Sequence, residues 1–435
     1  MQVPRRAMTN WAGTQRWVPA ERSAPSTRNE VVETVVAARR HGRRVKVIGG
    51  GHSFTAAAAT RGVQISLDAL NRVIAVDHER RRVTVGAGMK LYRLNDVLAE
   101  HGLAMPNLGD IDRQSIAGAI ATATHGTGRH HPNLAMTVVA MEIVTGDGDV
   151  VRCSPDEEPD LWRVARVGLG ALGVVTEVTL QVVDAFNLHA RETIEPVADV
   201  LHRWDEFVAS ADHAELYVMP GGRRAQVKRN DRTDRPAEPP TRWAYTRDKV
   251  FGENVGFAAV CMVGKRVPSL AGRLAKLVTS AAAGRELVDR SDRVFCSPRH
   301  VHFVEMEYGI PLDDVPEALS RVAELAGRLP TPVLFPIEVR VSAGDDIALS
   351  TGFERTSGWI AVHQYRGMPH EDYFHGVEAI MDDYQGRPHW GKLHYQRAAT
   401  LAARYPQWEQ FAVVRDRLDP ERIFANPYLD RVLGP

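Results

Sequence analysis

The chain has 435 residues, 44% hydrophobic and 25% charged, which is the composition of ordinary globular protein rather than of a disordered chain. Lys+Arg and Asp+Glu both number 54, so no bulk field draws the molecule to nucleic acid or to an anionic membrane. The length exceeds one ordinary core and implies two domains. Cys153, Cys261 and Cys296 are far apart and form no CxxC pair. That argues against a disulfide framework or a structural zinc site and suits a reducing cytoplasm. The N-terminal MQVPRRAMTNWAG has no apolar run behind its arginines, so no secretory or twin-arginine signal is expected. No stretch reaches the ~18 apolar residues a membrane span needs.

In chain order, Val32, Val35 and Val36 recur at helical spacing within Glu30 to Arg40, and Gly42 can end that helix. A short β-branched strand follows at Val45 to Ile48, then Gly49, Gly50, Gly51, His52, Ser53, Phe54 and Thr55. Consecutive glycines let the backbone approach a ligand, and their N–H groups can converge on an anion such as a pyrophosphate. Val63 to Leu67 reads as a strand, Val73–Val76 with Val83–Val85 as a hairpin, and Leu91 to Glu100 as a helix. Pro106 to Asn133 is crowded with small residues and threonines. It suits either a closely packed helix and turn or the cradle of a flat ligand. Val138–Val144 and Val150–Arg152 flank a Thr-Gly-Asp-Gly-Asp turn, a second hairpin. Gly168 to Val183 contains GxGxxG, but a strand follows where the Rossmann fingerprint needs a helix, so no Rossmann site is expected. Mixed short strands and helices place this half in the α+β class.

The texture changes after about Ala185. Asn230 to Thr241 reads as a polar loop, and Leu270 to Leu287 as a helix. Val301–Ile310, Val333–Val341 and Trp359–Tyr365 read as strands of a second sheet, with helices at Ala318–Leu329 and Tyr373–Tyr384. Strand alternation puts Glu338, Arg340 and Ser342 on one face, and Ala361, His363 and Tyr365 on one face. An extended RPHWGKLHY would align Trp390, Lys392 and His394. Such faces could hold a polyhydroxylated substrate, since each hydroxyl wants a donor and an acceptor. They also fit ordinary solvated strands. The histidines form no HExxH and no acid stands at ligand spacing, so no metal is expected. Ser53 and Ser115 lack a GxSxG elbow, which argues against a hydrolase.

GGGHSFT, NLGDIDRQSIAGAIATATHGTG, GLGALGVVTEVTL, RPHWGK and LDPERIFANPYL occur here in the order seen in aldonolactone oxidoreductases. The whole chain resembles these FAD enzymes of the vanillyl-alcohol-oxidase type, a group that includes alditol oxidases. The resemblance implies an FAD-binding domain at 1–184, an antiparallel-sheet substrate domain at 185–400, and a segment at 401–435 returning to the FAD domain. It implies pyrophosphate contacts at Gly49, Gly50 and Gly51, cofactor binding at Ser53, and FAD attached covalently through His52. Ser115, Gly118, Thr122, His125 and Gly126 match a second flavin-contacting stretch, and Val174 and Val175 the adenine end. Glu338, Arg340, His363 and Lys392 match catalytic, pocket-lining residues of alditol oxidases. Asp110 and Tyr365 stand where those enzymes have serine and threonine, which favours a cyclic substrate. The implied reaction is hydride transfer from a carbinol carbon of a sugar-1,4-lactone, such as L-gulono-1,4-lactone, to flavin N5. Electrons would pass on to oxygen or another acceptor, and Gly109 at the position governing oxygen access would permit oxygen. An alditol or oligosaccharide oxidase on the same fold is the alternative.

Overall fold

The computed structural model describes residues 7–239, 241, 257–266, 284–297, 299 and 301–435. Near the N-terminus, the Arg28–Arg40 helix is capped by Thr27, whose side chain accepts from the Glu30 N–H. Its Val31, Val35 and Ala38 stripe packs on Val45, Val63 and Ile65 of a parallel three-stranded sheet ordered Glu21–Ser23, Val63–Ser66, Val45–Ile48. Both expected hairpins form and join one antiparallel five-stranded sheet. Its order is Val150–Cys153, Val138–Val144, Val174–Gln181, Arg82–Gly86, Val73–Asp77. The Leu91–Glu100 helix contributes Leu91, Leu94 and Leu98 to the core beneath that sheet.

The second half is an antiparallel sheet of eight described strands. They run Glu286–Arg290, Asn187–Pro196, Arg224–Thr233, His213–Val218, Ile337–Ser342, Ser357–Tyr365, Phe303–Pro311 and Arg387–Pro388. Alternation sends Leu216, Val227, Ile337, Val339, Met306 and Ile360 to one face, where the Val315–Arg328 and Glu371–Asp383 helices bury them. The opposite face is polar.

The chain's last part returns to the N-terminal half. Ile423 and Phe424 join the core of the three-stranded sheet, the Val45 N–H donates to the Ile423 carbonyl, and Lys46 donates to the Phe424 carbonyl. Asp419 holds this turn by accepting from the Ile423 and Phe424 N–H groups.

Four expectations need correction. Asn230–Thr233 continues a strand instead of opening a loop. The Val333 strand begins only at Ile337. The helix expected over Leu270–Leu287 lies mostly outside the described residues, and its last two residues open the Glu286–Arg290 strand. RPHWGKLHY leaves extended pairing after Pro388, so Trp390, Lys392 and His394 do not share a strand face. Trp390 is buried with its indole N–H on the Leu349 carbonyl, and His394 is buried against Tyr428.

Candidate active site

A cleft runs through the N-terminal half, lined by Gly49, Gly50, Gly51, His52, Ser53, Ser115, Gly118, Thr122 and Val175 among others. The glycines are required by close approach. A Cβ at Gly49 would lie 2.0 Å from Ser115 Oγ, one at Gly50 would lie 2.6 Å from the Arg113 carbonyl oxygen, and Gly51 has φ +67°. Ser115 caps the short Ile116–Ala121 helix, accepting from the Gly118 N–H at 3.2 Å. The residues fit a dinucleotide flavin. The wall combines close-packed glycine backbone, alanines and Val175 with the side-chain oxygen of Gln114, which is buried without a partner among the described residues. His52 opens into the same cleft, and burial, reinforced by Lys90, Lys392 and Arg113, pushes its pKa down to about 4. Its imidazole is therefore neutral at ordinary pH, with a lone pair on one ring nitrogen.

Of the other expected cofactor residues, His125, Gly126 and Val174 do not line this cleft. Val174 is fully buried in the three-stranded sheet's core. Gly126 packs so closely on Leu108 that a Cβ would come within 2.3 Å of its carbonyl oxygen. His125 stacks on Trp359, ring centroids 3.6 Å apart, and its Nδ1 donates to the Gly126 carbonyl.

The polar sheet face meets the cleft beside His52. The Phe54 N–H donates to the Gly391 carbonyl at 2.7 Å, and Lys392 Nζ lies 5.2 Å from the centre of the Phe54 ring. Arg340 pairs with Glu338 on its own strand, with Glu215 at 3.2 Å and with Asp110 at 3.3 Å. Asp110 also pairs with Arg299. Burial raises the cost of charge on Asp110 and Glu215, but the surrounding Arg299, Arg340 and Lys228 outweigh it and hold both below the usual carboxylate range. Glu338 goes the other way. Burial, with Asp110 and Glu215 nearby, lifts it above the ordinary range despite Arg340. His363 lies 3.5 Å from Glu305 and 4.0 Å from Glu338.

Glu338, Arg340, His363, Lys392 and Asp110 are thus brought into one network, whereas Tyr365 sits apart, half-buried with its ring 6.0 Å from Lys265 Nζ. Sequence reasoning missed Glu215, Tyr217, Lys228, Arg299, Glu305 and Glu307. Tyr217 donates to Glu338 at 3.3 Å, and Lys228 pairs with Glu215 across strands at 3.3 Å. The signal for the two glutamates was present: in FVEMEYGIP, Glu305 and Glu307 alternate with the apolar Val304, Met306 and Tyr308.

Glu307 also supplies the acid that sequence spacing did not show near the histidines. One ligand atom each from His125, Glu307 and His389 lie within 4.8 Å of one another. The hydrogen bonds make this a carboxylate–histidine cluster rather than a metal ligand set. His389 Nδ1 accepts from the Gly391 N–H at 3.0 Å, so the ring's proton belongs on Nε2 and no lone pair is left there for a cation.

The glycine-lined cleft beside a polar antiparallel sheet fits a flavin-dependent oxidoreductase. The fold is shared with solved cholesterol oxidases: a solvent-stable cholesterol oxidase superposes with a TM-score of 0.84 over 99% of this chain and 97% of its own, at 18% identity. A xylooligosaccharide oxidase from Myceliophthora thermophila C1 in complex with xylobiose gives 0.73 over 98% and 94%, at 16% identity. In sequence, an FAD binding domain matches residues 19–154 and the D-arabinono-1,4-lactone oxidase family matches residues 178–432. The L-gulono-1,4-lactone dehydrogenase of Mycobacterium tuberculosis is 47% identical over 98% of this chain and 99% of its own length. The L-gulonolactone oxidase of Bos taurus is 33% identical over 97% of each chain. The chain belongs to the D-arabinono-1,4-lactone oxidase family of FAD-dependent oxidoreductases.

Proposed function

We propose that the protein oxidises a carbinol carbon of a sugar-1,4-lactone, L-gulono-1,4-lactone or a similar aldonolactone, with FAD held in the glycine-lined cleft and bound covalently through His52. The observation that carries this reading is the junction itself, where the Glu338, Arg340, His363 and Lys392 network opens beside His52. The flavin supplies the two-electron acceptor for the hydride leaving the carbinol carbon. Arg340, fixed by Glu338, Glu215 and Asp110, presents a charged, oriented guanidinium to the reacting oxygen. Glu338 accepts the hydroxyl proton as the carbonyl forms, a role its raised pKa supports. Lys392 stabilises negative charge on the same oxygen. The neutral His52 imidazole is in the form able to carry a covalent link.

Residues 1–184 with 401–435 are read as the FAD part and 185–400 as the substrate domain. Among the described residues no helix is long and apolar enough to cross a membrane, and the three cysteines are unpaired, in keeping with a cytoplasmic setting. An alditol or oligosaccharide oxidase is the second reading. Asp110, committed to Arg299 and Arg340, favours the compact lactone.

Two measurements test the proposal. Anaerobic bleaching of the bound flavin is expected with aldonolactones and not with xylitol or sorbitol; the reverse preference overturns the substrate. Acid precipitation is expected to leave the yellow colour in the pellet; a colourless pellet with free FAD in the supernatant overturns the covalent link. Reoxidation of the bleached protein by air against an artificial acceptor then identifies where the electrons go.

A further inference from the structure

Glu305 has no assigned part in this chemistry, yet Lys392 depends on it twice. Its carboxylate pairs with Lys392 Nζ through Oε2, and its backbone carbonyl accepts from the Leu393 N–H at 2.9 Å. Both the ammonium and the backbone beside it therefore hang on one residue of the Phe303–Pro311 strand. The other oxygen, Oε1, faces His363 Nε2 at 3.5 Å, while His363 Nδ1 donates to the Pro336 carbonyl. Glu305 is buried, and among the described residues it is the one carboxylate within ion-pair reach of Lys392. The other groups facing that ammonium are the Phe54 ring and, further off, His52, Glu307 and His389. A lysine on a flexible four-carbon stem has no fixed direction of its own, and a buried carboxylate on rigid sheet supplies one.

We propose that Glu305 is a positioning residue of the oxidation: it holds the Lys392 ammonium aimed at the junction of the His52 loop and the polar sheet face. This rests on the reading of Lys392 given above. The two carboxylates flanking His363 then divide the work. Burial is outweighed at Glu305 by Lys392 and His363, which hold it at about 2, so it stays ionised, while Glu338 is the one poised to take a proton.

The test uses the flavin-loaded protein and the variants Glu305→Gln, Glu305→Asp, Lys392→Ala and Glu305→Gln/Lys392→Ala. Without any sugar, the pH dependence of Lys392 acetylation by acetic anhydride is followed by peptide mass spectrometry, with the exposed Lys265 as internal standard. Glu305→Gln should move the labelling midpoint of Lys392 down by about 1–3 pH units, the scale for losing an opposite charge at contact. Glu305→Asp, which keeps the charge and shortens its reach, should give a smaller shift in the same direction and carries the test should the glutamine variant fold poorly. Unchanged midpoints in both overturn the proposal. In lactone bleaching, Glu305→Gln and Lys392→Ala should each slow reduction by about 100-fold, and the double variant no further. Multiplied losses in the double variant also overturn it. Wild-type protein that no lactone bleaches sinks the proposed function instead, and the acetylation measurement still decides the pair.

Discussion

Glu338 is the residue on which the pH behaviour of the reaction turns. Burial, helped by two acidic neighbours, lifts its pKa while Arg340 opposes, and the balance lies above the ordinary carboxylate range. A proton acceptor works only when ionised, so kcat/KM should fall on the acid side through a limb above the ~4.3 of a free glutamate. Glu338→Gln should abolish that limb and slow flavin reduction by about 10²–10⁴-fold. Stopped-flow bleaching across pH checks both, and an acid limb that survives the substitution removes Glu338 as the base. Arg340 keeps Asp110 and Glu215 as partners in that variant, so the pocket should hold its shape. Individual residues were only partly legible. Glu338, Arg340 and His363 could be found because a strand's alternation exposes a charge among apolar neighbours. Arg299 could not, since it meets Asp110 only through tertiary packing, which local patterning does not encode; Lys228 faces Glu215 across two neighbouring strands, a pairing that requires the register to be known.

The element that defines the cleft is the turn after Val45–Ile48, and it is built on the absence of side chains. A Cβ at Gly50 would lie 2.6 Å from the Arg113 carbonyl and 3.0 Å from Gln114 Cα, both backbone atoms that cannot swing aside. Gly50→Ala should therefore strip the protein of flavin, read as the ratio of visible to ultraviolet absorbance, while far-ultraviolet dichroism stays native. Gly327, near the end of the Val315–Arg328 helix, has open space around it, so Gly327→Ala should be neutral or stabilising by about 0.5–1 kcal/mol with full flavin content. Elements were the most readable level of this chain, because periodicity marks a helix or strand wherever one face is buried. RPHWGKLHY departs from its strand because Trp390 and His394 each find buried hydrogen-bond partners that an extended run could not reach together.

Across the whole molecule, several histidines are buried in their neutral form. Burial pushes His389 and His394 to about 3 and His131 to about 4. Above the ~6.5 of an unfolded histidine neither state binds the extra proton, and these groups do not affect stability with pH. Below it the unfolded chain takes up protons that the folded one refuses, so their contribution is lost as pH falls towards 4 and then 3. Each costs about 1.4 kcal/mol per pH unit through that window. Carboxylates raised by burial, Glu378 and Asp419 among them, act in the opposite sense, since above their unfolded pKa the folded state takes up the proton first as pH falls. The difference between wild type and His394→Gln isolates one histidine: the variant's stability should decline less steeply between pH 6.5 and 4.5. Parallel urea midpoints across that range for the two proteins would show that His394 is charged when folded.

Lys46 is 378 positions from the Phe424 carbonyl it holds, and Val45 from about as far binds Ile423. On a ribosome the strand that leads into the glycine turn emerges long before the backbone that seals its open edge. The hydrogen bonds that anchor this strand can therefore form only when nearly all of the polypeptide has been made.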